Sequence, residues 1–390
     1  MVTRLAARVG LAVLAAAACV NLAAGVVLAW RDPSRASDLS MMYEWTRGWI
    51  VGGERRFTVL RDAVDYPPHA LVVLSPLGLI PRDLIVPIWM VVGVSLALVL
   101  PYLAIRCAKP HARLVLLPML LFWCWTSTRT LLQFTALSLA LAFASALIAD
   151  TRWVLSGIAL GLALFKPHIA GPFALWALVS GRVRSVAVAA AVVFAGLGIY
   201  AARVGDSPID TVRGYWPWLV EVYSGASGLN GRTSIRGLVA AAIADPRTAD
   251  AVWIAASACL LAIAMWLAWR DRRRPLQDGG IAVPAMFCLW SLAAIYHNTN
   301  NLILILPAFV FLWFVGRDER SFRRWPQIVC LQAVLMLDVP TRLAGAVPRG
   351  TLAAFLVEHF DRLLVLACFV DVAVAWVRMT READQSTRQP

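Results

Sequence analysis

The sequence predicts an all-α polytopic membrane protein of about 10 to 12 membrane segments with an outer-face loop region, on three observations. Hydrophobic residues fill 60% of the 390 positions and the mean hydropathy is +0.71, well above the apolar share of a soluble domain. Apolar runs of spanning or near-spanning length recur along the chain. The charges fall in short clusters between those runs, so the net charge of +13 speaks for membrane topology and against a nucleic-acid surface.

The first run, 9 to 30, follows Arg4 and Arg8 like the start of a signal peptide, but its length suits an uncleaved spanning helix of roughly 20 residues. A first outer loop, 31 to 83, carries Asp38, read either as the cap of a helix starting near Leu39 or as a general base. Met41 to Ile50 either lies along the membrane surface or packs against the bundle. Asp65, Tyr66, Pro67 and Pro68 set an extended turn, followed by an apolar stretch ending at Pro81. Further runs lie at 84 to 105, 114 to 126, 130 to 149, 153 to 165, 168 to 180 and 185 to 203. After a second outer loop, 204 to 248, come 249 to 269, 281 to 296, 301 to 316, 325 to 340 and 353 to 377. The membrane domain thus covers 1 to 377, and 378 to 390 reads as a disordered cytoplasmic tail.

Trp153 to Phe165 is 13 residues, about 20 Å of helix against roughly 30 Å of hydrocarbon. Lys166 is therefore expected inside the protein, in a break that Pro167 enforces.

Basic residues in short loops place the N-terminus inside. The inner side then holds 19 Lys and Arg against 7 acidic residues, while the other 17 basic residues meet 16 acidic ones. The two long loops and the tight turns at Arg129, Lys166 and Tyr296 to Asn301 face outward, together with His69, His168, His297 and His359. Any chemistry is expected on the outer face of a plasma membrane. Six of the seven cysteines lie in apolar runs, which suggests no disulfide framework and no zinc spacing.

Ionisable groups at membrane depth usually have a partner or a task. Lys166, one of two lysines beside 34 arginines, reads as a phosphate-binding cation or as a snorkelling, salt-bridged residue. Tyr296, His297, Asn298, Asn300 and Asn301 crowd polar groups between two apolar runs, as sugar or phosphate contacts or as a plain loop. Arg129 and Gln133, four apart, are read on one helix face, for binding or packing. Asn230, Arg232, Ser234 and Arg236 either reach an anion or form a solvated loop. Asp338 and Asp371 read as buried carboxylates without an assigned partner. The chain lacks D-x-D, G-x-x-x-x-G-K-[ST], H-E-x-x-H and G-x-S-x-G, which removes the usual signatures of ATP-driven transport and of soluble-type nucleotide chemistry.

Taken together, Asp38 after the first helix, DYPPHALVVLSPLGLIP, LLQFTALSLALAF, GLALFKPH, NGRTSIRGL and YHNTNNLILILP resemble glycosyltransferase family 87. These are polyprenol-phosphate-mannose-dependent mannosyltransferases of the GT-C fold, and the resemblance covers most of the membrane region. It implies Asp38 as catalytic base, and it matches Lys166 to the lysine of the family's KP break and His297 to the histidine before the late outer turn; together with Arg129, read from its own position, these two are the expected contacts to the donor phosphate. Tyr66, Gln133, His168, Tyr296, Asn300 and Arg232 would contact substrate. The chain departs from the family pattern at Leu132-Gln133, where Gly-Gln is common, and at Lys166-Pro167-His168, where KPQ is common.

The implied reaction moves a hexose, foremost mannose, from a polyprenyl-phosphate donor to a glycolipid or polysaccharide hydroxyl on the outer face, with inversion. No cofactor or metal is demanded, because fixed cations can stabilise the leaving phosphate. The bilayer is a partner and nucleic acid is not. The alternative is a transporter or flippase of a lipid-linked sugar, for which internal inverted repeats are the usual sign; none is seen.

Overall fold

The structure is a computed structural model that describes residues 37–53, 66–107, 133–224, 234–272, 274–295, 297, 299–315, 346–348 and 351–386, with scattered positions between 12 and 31. Helices dominate, and no strand occurs among the described residues. The chain divides into two compact units. The first comprises Ala23–Leu100 and Ser127–Asn230, and the second Met1–Leu22, Pro101–Thr126 and Gly231–Pro390.

In the first unit, α1 (Ser37–Arg47) runs into one π turn, Gly48–Gly52. Next come the short helices α2 (Pro68–Val73) and α3 (Ser75–Gly78), then α4 (Arg82–Cys107), within which the division between units falls. The remaining helices are α5 (Thr135–Ile148), α6 (Trp153–Ala163), α7 (Pro167–Val179), α8 (Val183–Val204) and α9 (Pro208–Ser224).

Small residues let α6 lie between α5 and α8. A Cβ on Gly157 would fall 2.5 Å from Val188 Cβ, and one on Gly161 would fall 2.6 Å from Val192 Cβ. With the two glycines one turn apart, the backbones of α6 and α8 approach as small-xxx-small helices do in membranes. On the α5 side, Ser145 Oγ donates to Ser156 O and Ser138 Oγ to Ala163 O, both at 2.8 Å. At one end of α8, Arg182 grips Asp150 with two hydrogen bonds of 2.9 and 2.8 Å.

The described parts of the expected loop 31 to 83, residues 37–53 and 66–83, are built into this unit. Met42, Tyr43, Trp45 and Trp49 are buried, so Met41 to Ile50 takes the packing alternative rather than lying on a membrane surface. Trp49 stacks on Tyr200 of α8 at 6.0 Å between centroids, and Arg203 donates to Ile50 O at 2.5 Å, fixing the π turn. α1 packs on α3 where Gly78 meets the Arg47 backbone, 2.7 Å from where a Cβ would stand.

In the second unit, α10 (Arg236–Ala242) and α11 (Pro246–Arg270) precede α12 (Ala282–Ala294). A 3₁₀ stretch, Thr299–Ile305, then leads into α13 (Leu306–Val315), and α14 (Leu352–Glu358) and α15 (Phe360–Ser386) complete the unit. α12 is buried on all sides except at Trp290, as a helix apolar all round should be, and packs against α11, α13 and α15. Trp290 Nε1 donates to Ser257 O of α11 at 3.0 Å. α15 is tied to the end of α11 by Trp376, which donates to the Asp271 carboxylate.

Among the described residues, four helices are long and apolar enough to cross a membrane: α4, α8, α11 and Phe360–Arg381 of α15; five shorter apolar helices accompany them. The chain is an all-α polytopic membrane protein. Its expected runs at 114 to 126 and 325 to 340 lie outside the described residues.

Several expectations need correction. The expected second outer loop, 204 to 248, is largely helical over its described residues, as α9 and α10. The double proline is extended only at Pro67, with ψ 158°, while Pro68 opens α2 as its first helical residue, where the missing N–H costs nothing. α15 continues to Ser386, nine residues into the expected tail, through the good helix formers Arg378, Met379, Arg381, Glu382 and Ala383. Asp371 is exposed on α15, beside exposed Val370 and Val374, because the opposite stripe faces the core. Asp338 lies outside the described residues.

The α6–α8 contact yields a direct test. Gly161→Leu should destabilise by about 1–3 kcal/mol or more through overpacking, read as a lower Tm in detergent. Gly171→Ala, which meets nothing within 4 Å, should be neutral or gain up to roughly 1 kcal/mol.

Candidate functional site

α6 is 11 residues long, about 16 Å, and ends in the turn Leu164–Lys166 before Pro167 opens α7. A helix ending inside a bundle must find donors for its last carbonyls. Here Ala163 O accepts from Ser138 Oγ of α5, and Leu164 O accepts from the His69 ring of α2 at 3.1 Å. Because a carbonyl only accepts, His69 Nε2 carries the proton. Gly196 of α8 admits this histidine, since a Cβ there would stand 2.9 Å from His69 Cβ.

The break presents Lys166, 6% exposed, to Tyr66, 3% exposed, and Lys166 Nζ donates to the Tyr66 hydroxyl at 3.1 Å. The ammonium also lies 5.3 Å from the Tyr66 ring centroid, within the range of a cation–π attraction. Phe165 stacks on the same ring at 6.5 Å, and Phe134 meets it edge-on at 6.2 Å. Sequence positions 100 residues apart are thus joined around one buried cation. This corner can hold a positive charge in a dry, aromatic setting, where its attraction for an anion is greatest.

Around it, His168 is half-buried in the first turn of α7. Gln133 is half-buried in a bend just before Phe134, so it belongs to no helix face; α5 begins only at Thr135. Asp38 is half-buried in the first turn of α1, which packs on α2 and α3, the helices that follow Tyr66. Because α1 starts at Ser37, Asp38 lies inside the helix rather than at its cap, where a carboxylate suits the helix dipole.

His297 belongs to the second unit. It is fully buried, with Nε2 3.0 Å from Ser291 Oγ of α12. Nearby, Ile235 N donates to Ala293 O at 2.9 Å, holding the start of α10 to the end of α12. Arg129, Tyr296 and Arg232, and the side chain of Asn300, lie outside what the structure describes.

The family model of glycosyltransferase family 87 matches residues 65–291, more than half of the chain. The chain belongs to glycosyltransferase family 87. No curated protein and no solved structure matches it. The matched span opens just ahead of Tyr66, contains Lys166, and closes at Ser291, the partner of His297. Asp38 precedes it, and Tyr296, His297 and Asn300 follow it. The protein is a membrane glycosyltransferase.

Sequence reading gave His69 no role beyond an outward position. Its signal was a histidine directly after the double proline, on a stretch too short to span. Ser138 was hidden in an apolar segment, and nothing in its neighbourhood announces a carbonyl partner 25 residues away.

Burial lowers the His69 pKa from 6.5 to about 4, with the bond to Leu164 O acting in the opposite sense. Between those values the unfolded chain binds a proton that the folded transferase refuses, so stability falls as pH falls from about 6.5 towards 4. His69→Asn should flatten this part of the Tm-against-pH curve measured in detergent, and an unchanged slope would count against the neutral, buried imidazole.

Proposed function

We propose that this transferase moves a hexose, foremost mannose, from a polyprenyl-phosphate carrier to a hydroxyl of a glycolipid or polysaccharide, on the outer face of the plasma membrane. The observation that carries the reading is the buried Lys166–Tyr66 pair at the α6–α7 break of a family 87 membrane protein. A lipid-phosphate donor keeps its tail in the bilayer and needs a fixed cation near the membrane surface, where charge develops on the departing phosphate.

In the proposed step, Asp38 takes the proton of the acceptor hydroxyl as that oxygen bonds to the anomeric carbon. The bond from that carbon to the phosphate oxygen breaks, its electron pair stays on the phosphate, and the configuration inverts. Lys166 offsets the charge of the leaving group, and Tyr66 holds the ammonium in place. Gln133, one residue before Phe134, and His168, two residues after Lys166, are assigned to the sugar. His297 and Arg129 are assigned to the donor phosphate, and Tyr296, Asn300 and Arg232 to the substrate. The basic loops on the opposite side support the outward orientation.

The experiment is transfer of radiolabelled mannose from polyprenyl-phosphate-mannose to endogenous lipids, in membranes carrying wild type or variants. Asp38→Asn, expressed and inserted normally, should lose transfer by roughly 10²–10⁴, and full activity would remove Asp38 as base. Lys166→Met should lower kcat by about 10²–10³ if the ammonium stabilises the departing phosphate. Tyr66→Phe should have a smaller effect, since the ring remains.

A further inference from the structure

Two arginines of the second unit differ in their partners. Arg236, at the start of α10, donates from Nε to Asp250 Oδ1 at 2.7 Å. Arg362, in the first turn of α15, is only 9% exposed, and its Nε is buried with no hydrogen-bond acceptor. Its Nη1 donates to Nδ1 of His359, which leaves the histidine's own proton on Nε2. Glu358 and Asp361 precede it in sequence, yet neither supplies an acceptor to Nε.

The guanidinium lies against Gly237 of α10. A Cβ there would fall 2.5 Å from Cζ and Nη2 and 2.8 Å from Nε. The absence of a side chain at 237 is thus what lets a cation occupy this position. The preceding residues are pinned to α12 by the Ile235–Ala293 hydrogen bond, two residues beyond Ser291, the partner of His297. Beside the cation, α14 turns an apolar surface outward: Leu352, Phe355 and Leu356 are exposed, and the Phe355 ring meets the His359 ring edge-on at 4.4 Å.

A buried guanidinium whose Nε–H finds no acceptor, next to exposed aliphatic and aromatic side chains, matches a ligand that is anionic at one end and apolar beyond it. Guanidinium grips phosphate oxygens through two parallel N–H bonds. We infer that Arg362, oriented by His359 and accommodated by Gly237, binds the phosphate of a lipid head group in the second unit. The inference rests on the transfer reaction proposed above only for which lipid this is; a polyprenyl-phosphate carrier and a bilayer phospholipid share the chemistry.

The test uses the full chain in phosphatidylcholine nanodiscs, titrated separately with decaprenyl phosphate, phosphatidylglycerol, inorganic phosphate and uncharged decaprenol. In wild type, at least one phosphate lipid should bind more tightly than decaprenol. Arg362→Gln should weaken that binding at least tenfold and leave decaprenol unchanged, while Arg362→Lys should retain part of it. Gly237→Ala, which displaces the guanidinium without removing its charge, should also weaken it and decides the matter if Arg362→Gln does not fold.

A response to decaprenyl phosphate alone identifies the carrier, and a response to phosphatidylglycerol alone identifies a bilayer lipid; both support the subsite. Variants that bind phosphate lipids as wild type does, a wild type that does not distinguish them from decaprenol, or a response to inorganic phosphate only would overturn it. Asp38→Asn separates the two readings, because it should bind these lipids normally while losing transfer.

Discussion

A lysine ammonium buried in an apolar helix bundle constrains everything around it. Lys166 cannot sit beside an uninterrupted helix and still reach a polar partner, so the chain breaks there, and the break exposes carbonyls that need donors of their own. Ser138 and His69 supply those donors from α5 and α2. Tyr66 supplies both a hydroxyl acceptor and a ring face to the cation. Removing one partner from a buried charge is far more costly than trimming a surface pair, so α2, α5, α6 and α7 are bound together by one electrostatic requirement.

The glycines of the first unit serve the same arrangement. Gly157 and Gly161 let α6 approach α8 closely, and Gly196 lets α2 approach it with a histidine between. Leucine-rich faces would hold these helices farther apart and leave Leu164 O without its donor. In a bilayer, where lipid tails are as apolar as leucine, close backbone approach and interhelical hydrogen bonds are what distinguish one packing from another. α12 gives the second unit its centre by the opposite means, being apolar on every side and enclosed by its neighbours.

The membrane class and the Lys166 break were legible because each rests on local signals. Runs of apolar residues, clustered arginines, a helix too short to cross and a proline after a rare lysine can all be read in windows of about 20 residues. The partners of the break were not legible, because His69 lies 95 positions and Tyr66 100 positions from the atoms they touch. Gln133 was misplaced for a related reason: apolar character runs on through 130 to 134, while the α5 ladder begins at Thr135. Asp371 was read as buried from the apolar residues around it in sequence. Burial on a helix is a property of one stripe, and the stripe of α15 that meets the core holds Val365, Cys368, Val372 and Trp376 instead.

In the proposed reaction, burying a cation before any substrate arrives has a catalytic logic. An exposed lysine would have to shed water and find its orientation as charge develops on a leaving phosphate, and that reorganisation would raise the barrier. Lys166 is already desolvated, and its direction is set by the Tyr66 hydroxyl and ring. A phosphate oxygen entering this corner gains an interaction with a charge that needs little further rearrangement, the condition under which fixed dipoles and cations contribute most to a transition state. The cost of holding the charge is met in folding, by the hydrogen bonds that close the α6–α7 break, rather than in each catalytic cycle.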